Sequence, residues 1–158
     1  MSTLTKLSDA VGAGLVAGFL GTAAMTASST IEARLRHRAF SSTPARATAK
    51  ALGISAFETD IARARFNDLS HWGYGTGWGV VRGVLGAAGV PARRATAAHG
   101  AAIWGTGAAT LTAMEVAPPV VFWPKEEIAI DLLHHAVYAI ATGVAYELIA
   151  AGRRNGRG

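Results

Sequence analysis

Apolar positions fall into four long runs, set apart by one broad polar stretch and two short breaks. Residues 10–31 carry no charged side chain over twenty-two positions. A helix of that length covers roughly 30 Å, enough to cross a hydrocarbon core. Gly14 and Gly18 stand four apart within it, and Gly21 continues the small-residue pattern. A cleaved signal peptide, with Lys6 before the run and Thr22-Ala-Ala24 as its cleavage site, competes with a retained anchor. The length of the run and the apolar segments that follow favour the anchor.

The second run, residues 71–90, is rich in glycine, which in water costs a helix about 1 kcal/mol per position relative to Ala. In a bilayer a spanning backbone must satisfy its own hydrogen bonds, and small residues let helices approach closely. At 100° per residue His71, Gly75, Gly79, Arg82, Gly83 and Gly86 form one stripe. Tyr74, Trp78, Val81 and Leu85 form another. The first reads as a face pressed on other helices and the second as a lipid-facing or packed ridge. This pattern predicts that 71–90, starting near Ser70, is the central helix of the bundle. The third run covers 95–116 and the fourth 128–150.

Between the first two runs lies a polar interlude, 32–70. Residues 32–38 are expected to extend the first helix beyond the membrane. Thr43 and Pro44 predict a helix start and Gly53 a stop, giving a short helix near 44–52. Ser55 and Glu58 have capping-box spacing, predicting a separate amphipathic helix with Phe57, Ile61 and Ala64 on one face. Such a helix suits the membrane interface or the covering of a bundle end. In the loop before the last run, Pro118 and Pro119 are followed by Trp123 and Pro124, an aromatic turn suited to headgroup depth. Glu127 falls in the first turn of the last helix, at its positive end. The expected fold is all-α: one membrane domain over 1–158, with four spanning helices and a short amphipathic helical segment between the first two.

Composition agrees. Only 16% of residues are charged, 51% are hydrophobic and the mean hydropathy is positive, against about 25% charged in soluble domains. Cysteine is absent, which excludes disulfides, thiolate metal sites and cysteine nucleophiles. The net charge of +5 is spread over loops and a basic tail, Arg153–Arg157, with no basic segment interleaved with aromatics. Membrane-surface electrostatics accounts for it, and nucleic acid is not an expected partner. Four spans place Lys6, Arg93, Arg94 and the basic tail on one side. Short-loop charge favours that side as cytoplasmic, N-in and C-in, although seven Lys/Arg in 32–70 pull the other way.

Ionisable side chains inside spanning helices are costly and become site candidates. Depth along the helices places His71, Glu115, Asp131, His134 and His135 toward one membrane face. Asp131 and His135 are four apart and share a helix face, which Tyr138 and Thr142 continue inward. This set can be read as a divalent-metal or proton-handling cluster. It can equally be read as helix-to-helix hydrogen bonds and end caps, the more frequent use of such residues. No HExxH or similar ligand pattern is present, and no cofactor is required. Arg82 and His99 form a second intramembrane polar set nearer the other face. Glu147 lies at similar depth to Arg82 but about 160° around its helix from Asp131, so an Arg82–Glu147 pair is left open beside an Arg82–lipid headgroup contact. No GxSxG or Walker lysine supports nucleophilic or phosphate chemistry.

The stretch Ala117-Pro-Pro-Val-Val-Phe-Trp-Pro-Lys-Glu-Glu127, followed by Leu132-Leu-His-His-Ala-Val137, resembles the YagU-like family of bacterial inner-membrane proteins. That family has a Pro-Pro motif closing one span, then Pro and acidic residues, then a Gly-His or similar pair in the last helix. His71 and Pro91 match the ends of its glycine-containing helix, and Gly14-Leu-Val-Ala-Gly18 resembles its first segment. The likeness covers residues 12–31 and 71–150. It implies a multi-pass inner-membrane protein without an assigned activity, and it favours His71, Pro118, Pro119, Glu127 and His135 among the candidates. The expected function is structural or accessory, with the bilayer, a second copy or a membrane-protein partner as its contacts. Proton or divalent-cation transport and a membrane metalloenzyme are the alternatives, and the absence of catalytic motifs weighs against an enzyme.

Overall fold

The structure, a computed structural model, describes residues 2–39 and 41–155. It is all-helical: α1 (Thr3–Leu35), α2 (Thr43–Ala51), α3 (Asp60–Ala87), α4 (Ala92–Ala113) and α5 (Lys125–Asn155), with a 3-10 turn at Val120–Phe122 before α5. Among the described residues α1 and α5 are long and apolar enough to cross a membrane; α3 and α4 are not. Glycine, alanine, threonine and the terminal charges of α3 and α4 dilute their apolar content. Arg157 of the basic tail lies outside the described residues.

The hub of the bundle is α1, not the glycine-rich helix. It packs along α3 on one side and α5 on the other, while α4 leans mainly on α5. The glycine stripe of α3 therefore serves a peripheral helix that is drawn close to the hub. At the α1–α3 crossing Gly14 and Gly18 meet Gly79 backbone to backbone, and Gly83 meets Ala10. A Cβ on Gly18 would sit 2.7 Å from the Thr76 carbonyl oxygen and 2.8 Å from Gly79 Cα, closer than real contacts allow. Gly75 faces Thr22 of α1, whereas Gly86 faces Tyr146 of α5. These pairings make α1 and α3 antiparallel. The hydrogen bonds between α5 and the other helices extend this to an up-down-up-down order for α1, α3, α4 and α5. The start of α1, the end of α5 and the Ala88–Pro91 turn thus lie at one end of the bundle.

The glycine-rich helix begins ten residues earlier than Ser70. Residues 60–70 contain neither Gly nor Pro, so the amphipathic segment runs without a break into the glycine-rich one. Its cap is Thr59, whose hydroxyl accepts from the Ala62 amide at 3.0 Å. Ser55 and Glu58 lie outside any helix, and the separate amphipathic helix predicted from them does not form. Ile61 is exposed and Phe57 instead stacks on Phe66 at 5.1 Å. The short helix α2 does form, stopped at Gly53 with a positive φ of 69°. α5 starts at Lys125 and has Glu126 and Glu127 in its first turn.

Two helices end on left-handed residues that are not glycine. After α1 the chain turns at His37 (φ 52°), with the Arg38 amide returning to the Ala33 carbonyl at 3.0 Å. After α4 it turns at Glu115 (φ 52°), with the Val116 amide returning to Leu111 at 2.9 Å. Both are Schellman-type caps.

The interior joins small apolar residues, mostly alanine and glycine, with a few large polar side chains, and much of the exterior is apolar. The largest fully buried side chains are Arg82, Tyr138, His99, Thr22 and Thr142. Leu15, Val16, Phe19 and Leu20 of α1 and Leu132, Leu133, Ile140, Val144 and Leu148 of α5 are exposed. At the loop tip Val121 and Phe122 are also exposed, and the Trp123 indole donates to the Pro118 carbonyl at 2.7 Å.

Candidate functional site

The polar interior is built where α3 and α5 face each other across the bundle. The Tyr138 hydroxyl donates to the Gly75 carbonyl at 2.6 Å, and the Tyr146 hydroxyl to that of Gly83 at 3.4 Å. Glycine on α3 lets these rings come close enough to reach the helix backbone. Arg82 lies 4.4 Å over the Tyr146 ring and donates to the Glu147 carboxylate at 2.5 Å. Its side chain is 0% exposed and that of Glu147 is 43% exposed, so the pair joins a buried cation to an anion at the surface. The pair left open by the sequence thus forms. Glu147 turns to α3, while Asp131, most of a half-turn away around α5, accepts from the Trp104 indole of α4 at 2.8 Å. Two different neighbours serve the two acids.

His99 enters from α4 and is fully buried. Its Nε2 lies 3.0 Å from the Trp78 carbonyl oxygen, which can only accept, so Nε2 carries the hydrogen. The imidazole sits between Trp78 and Tyr138, at 6.3 and 5.5 Å between centroids. Its Nδ1, together with Nε and Nη1 of Arg82, has no protein hydrogen-bond partner.

Toward the opposite end the five residues of the first candidate set separate into distinct contacts. His71 Nε2 lies 3.0 Å from the Thr26 hydroxyl, whose own hydrogen goes to the Thr22 carbonyl at 2.8 Å. His71 is therefore the donor. His134 places Nδ1 2.9 Å from the Ser28 hydroxyl and Nε2 3.6 Å from the Glu32 carboxylate. His135 Nδ1 donates to the Asp131 carbonyl one turn back at 2.8 Å. Glu115, beyond the end of α4, binds Lys50 of α2 at 3.0 Å. Asp131 and His135 stay together on α5, Nδ1 of His135 also lying 3.6 Å from the Asp131 carboxylate, whereas His71 and His134 turn to α1 and Glu115 to α2. Among the described residues no group of three His, Asp or Glu is placed to hold a metal ion.

The polar centre at this end is Glu32, which the sequence reading passed over as a helix extension. Arg38 and Arg36 both bond its carboxylate, and Arg36 also reaches Glu126 at 3.3 Å and Glu127 at 3.0 Å. Glu32 is the first charge after the uncharged 10–31 run. The Arg38 guanidinium chiefly, against the opposing effect of burial and with Arg36 adding to it, holds its carboxyl at about 2. The signal was present in the alternation Glu32-Ala-Arg-Leu-Arg-His-Arg38, read there only as a continuation of the helix.

A shallow groove of about 800 Å³ runs along α4 and α5. Comparison of the chain with protein-family models, with curated proteins and with solved structures finds no match.

Proposed function

We propose that the chain is a small integral protein of the bacterial cytoplasmic membrane that spans it four times and has a structural or accessory role. The observation that carries this reading is where the large side chains lie. The largest fully buried ones are Arg82, Tyr138, His99, Thr22 and Thr142, set among alanines and glycines, while nine large apolar side chains of α1 and α5 face outward. In water that arrangement would forgo on the order of 10 kcal/mol of burial on those two faces alone. In lipid it is the favourable one, because Arg82, His99 and Tyr138 each bond a neighbouring helix and small residues bring backbones into contact. α3 and α4 gain their place from packing against α1 and α5, not from their own apolar content. The resemblance to the YagU-like family agrees with this reading, and the tight glycine crossings and paired polar side chains favour packing over turnover. Alkaline carbonate extraction of membranes from expressing cells tests it: the protein should stay in the pellet, and its release into the supernatant would sink the proposal.

A second reading, passage of protons, is favoured by one observation: buried Arg82 and His99 keep polar atoms without protein partners. Proteoliposome proton flux should then fall in His99→Phe, and flux equal to empty vesicles would dismiss it.

A further inference from the structure

We infer that the groove between α4 and α5 binds one anionic phospholipid, with an acyl chain along its floor and the phosphate at Arg93 and Arg94. This rests on the membrane reading above and adds a ligand to it. The floor is made of small side chains, among them Ala97, Gly100, Ala136 and Gly143, and Leu132, Ile140 and Leu148 edge it. Among the described residues it is lined by α4 and α5 alone, and α4 leans mainly on α5. From Ala92 to Trp104 on α4 it runs about 18 Å, and from Leu132 to Leu148 on α5 about 24 Å at the helical rise. Both are shorter than a hydrocarbon core of about 30 Å. A spanning helix of a second copy would overrun it, whereas a single acyl chain would not.

Charge selects the headgroup. Arg93 lines the mouth of the groove and Arg94 follows it in the first turn of α4. Both are exposed, and neither has an ion-pair partner among the described residues. Among the described residues that line the groove the one acid, Glu147, is matched by Arg82. α4 has no acid in its first turn, and Pro91 at its cap supplies no side-chain hydrogen bond. Two guanidinium groups are thus left at the positive end of a helix dipole, which disfavours them unless an anion is near. A phosphodiester at the membrane surface is that anion, and an arginine near the surface contributes about fivefold in affinity to it.

The test is native mass spectrometry of the full chain in a neutral detergent, titrated separately with phosphatidylglycerol and with phosphatidylcholine of the same chain length. The wild type should retain phosphatidylglycerol more tightly, and R93Q/R94Q should lose about thirtyfold, leaving the two lipids equal. Ala136→Leu, which fills the floor from an exposed position, should weaken both lipids alike. Both variants alter exposed residues, and an unchanged unfolding midpoint will show that they fold. Equal retention of the two lipids by the wild type, or no loss in R93Q/R94Q, overturns the proposal. So does a concentration-dependent dimer abolished by Ala136→Leu, which would give the groove to a second copy. A carbonate-resistant protein without lipid preference would end this inference alone, whereas a carbonate-released one would end the membrane reading with it.

Discussion

At the level of single residues, the Arg82–Glu147 pair decides how α3 and α5 are held. A buried cation with one partner is costly to orphan, on the order of 3 kcal/mol when that partner is removed. Glu147 is partly exposed, so solvent screens the attraction and a loss nearer 1–2 kcal/mol is expected for Glu147→Ala. Arg82→Met combined with Glu147→Ala should recover part of that loss, because no charge is then left buried. Thermal unfolding of the four proteins in one detergent gives the coupling; strictly additive losses would mean that the two side chains do not act as a pair. Glycine at 79 is equally exacting, since a Cβ there would run into the Gly14 backbone. Gly79→Leu should separate α1 from α3 and lower the unfolding midpoint by several degrees. Gly77→Ala, with nothing within 4 Å, should stabilise α3 by about 0.5–1 kcal/mol instead. The stripe of Gly75, Gly79, Arg82, Gly83 and Gly86 was legible in the sequence as a packing face. Which helix each residue meets was not, because a 100° wheel gives the face and not the neighbour.

Among the elements, the ends carry what periodicity does not reveal. A helical wheel identified 71–90 correctly as a helix but missed its first ten residues. Nothing in 60–70 breaks a helix, and the capping box at Ser55 competed with a cap that Thr59 makes in fact. The four apolar runs, the short helix near 44–52 and the aromatic loop were all readable from hydrophobic spacing and from Pro and Gly. The convergence of His71, Glu115, Asp131, His134 and His135 was not settled by equal depth, since rotation about each helix axis sends them to different partners. Glu32 was missed for the opposite reason: Arg36 stands four residues on along the same helix, but only the turn at His37 folds Arg38 back to it. His37→Gly should stabilise that turn by about 1 kcal/mol, the usual cost of a left-handed non-glycine residue. An unchanged or lower unfolding midpoint would show that the His37 side chain has a role of its own. The acid end of the pH profile tests the same cluster. The Glu32 carboxyl is held at about 2 in the folded chain against 4.5 ordinarily. Its contribution is therefore complete above pH 4.5 and is lost as pH falls toward 2. Glu32→Gln should flatten that part of the stability curve, measured by circular dichroism against pH, and a curve that keeps the wild-type slope would assign the acid loss elsewhere.

For the whole molecule the proposed four spans make a topology that labelling can read. Among the described residues α1 and α5 have the length and apolar content to span, and α3 and α4 do not. Two topologies follow, and they differ at one place. If four helices span, the Ala88–Pro91 turn lies with the N-terminus; if only α1 and α5 span, it lies with the loop at Val121. The chain contains no cysteine, so single substitutions can report position without background. Ser2→Cys, Ala88→Cys and Val121→Cys all replace exposed residues. In intact cells an impermeant maleimide should reach Val121→Cys and miss both Ser2→Cys and Ala88→Cys, placing both ends of the chain inside. Labelling of Ala88→Cys together with Val121→Cys would leave α3 and α4 on the outer surface and reduce the bundle to two spans. Labelling of Ser2→Cys and Ala88→Cys without Val121→Cys would keep four spans and invert them, giving the seven Lys/Arg of 32–70 the decisive weight over the short loops. The buried interior argues for the first outcome. Arg82 and His99 lie deep within α3 and α4, and each bonds a neighbouring helix. A helix that merely lay on the surface would have water for these groups and no reason to bury them.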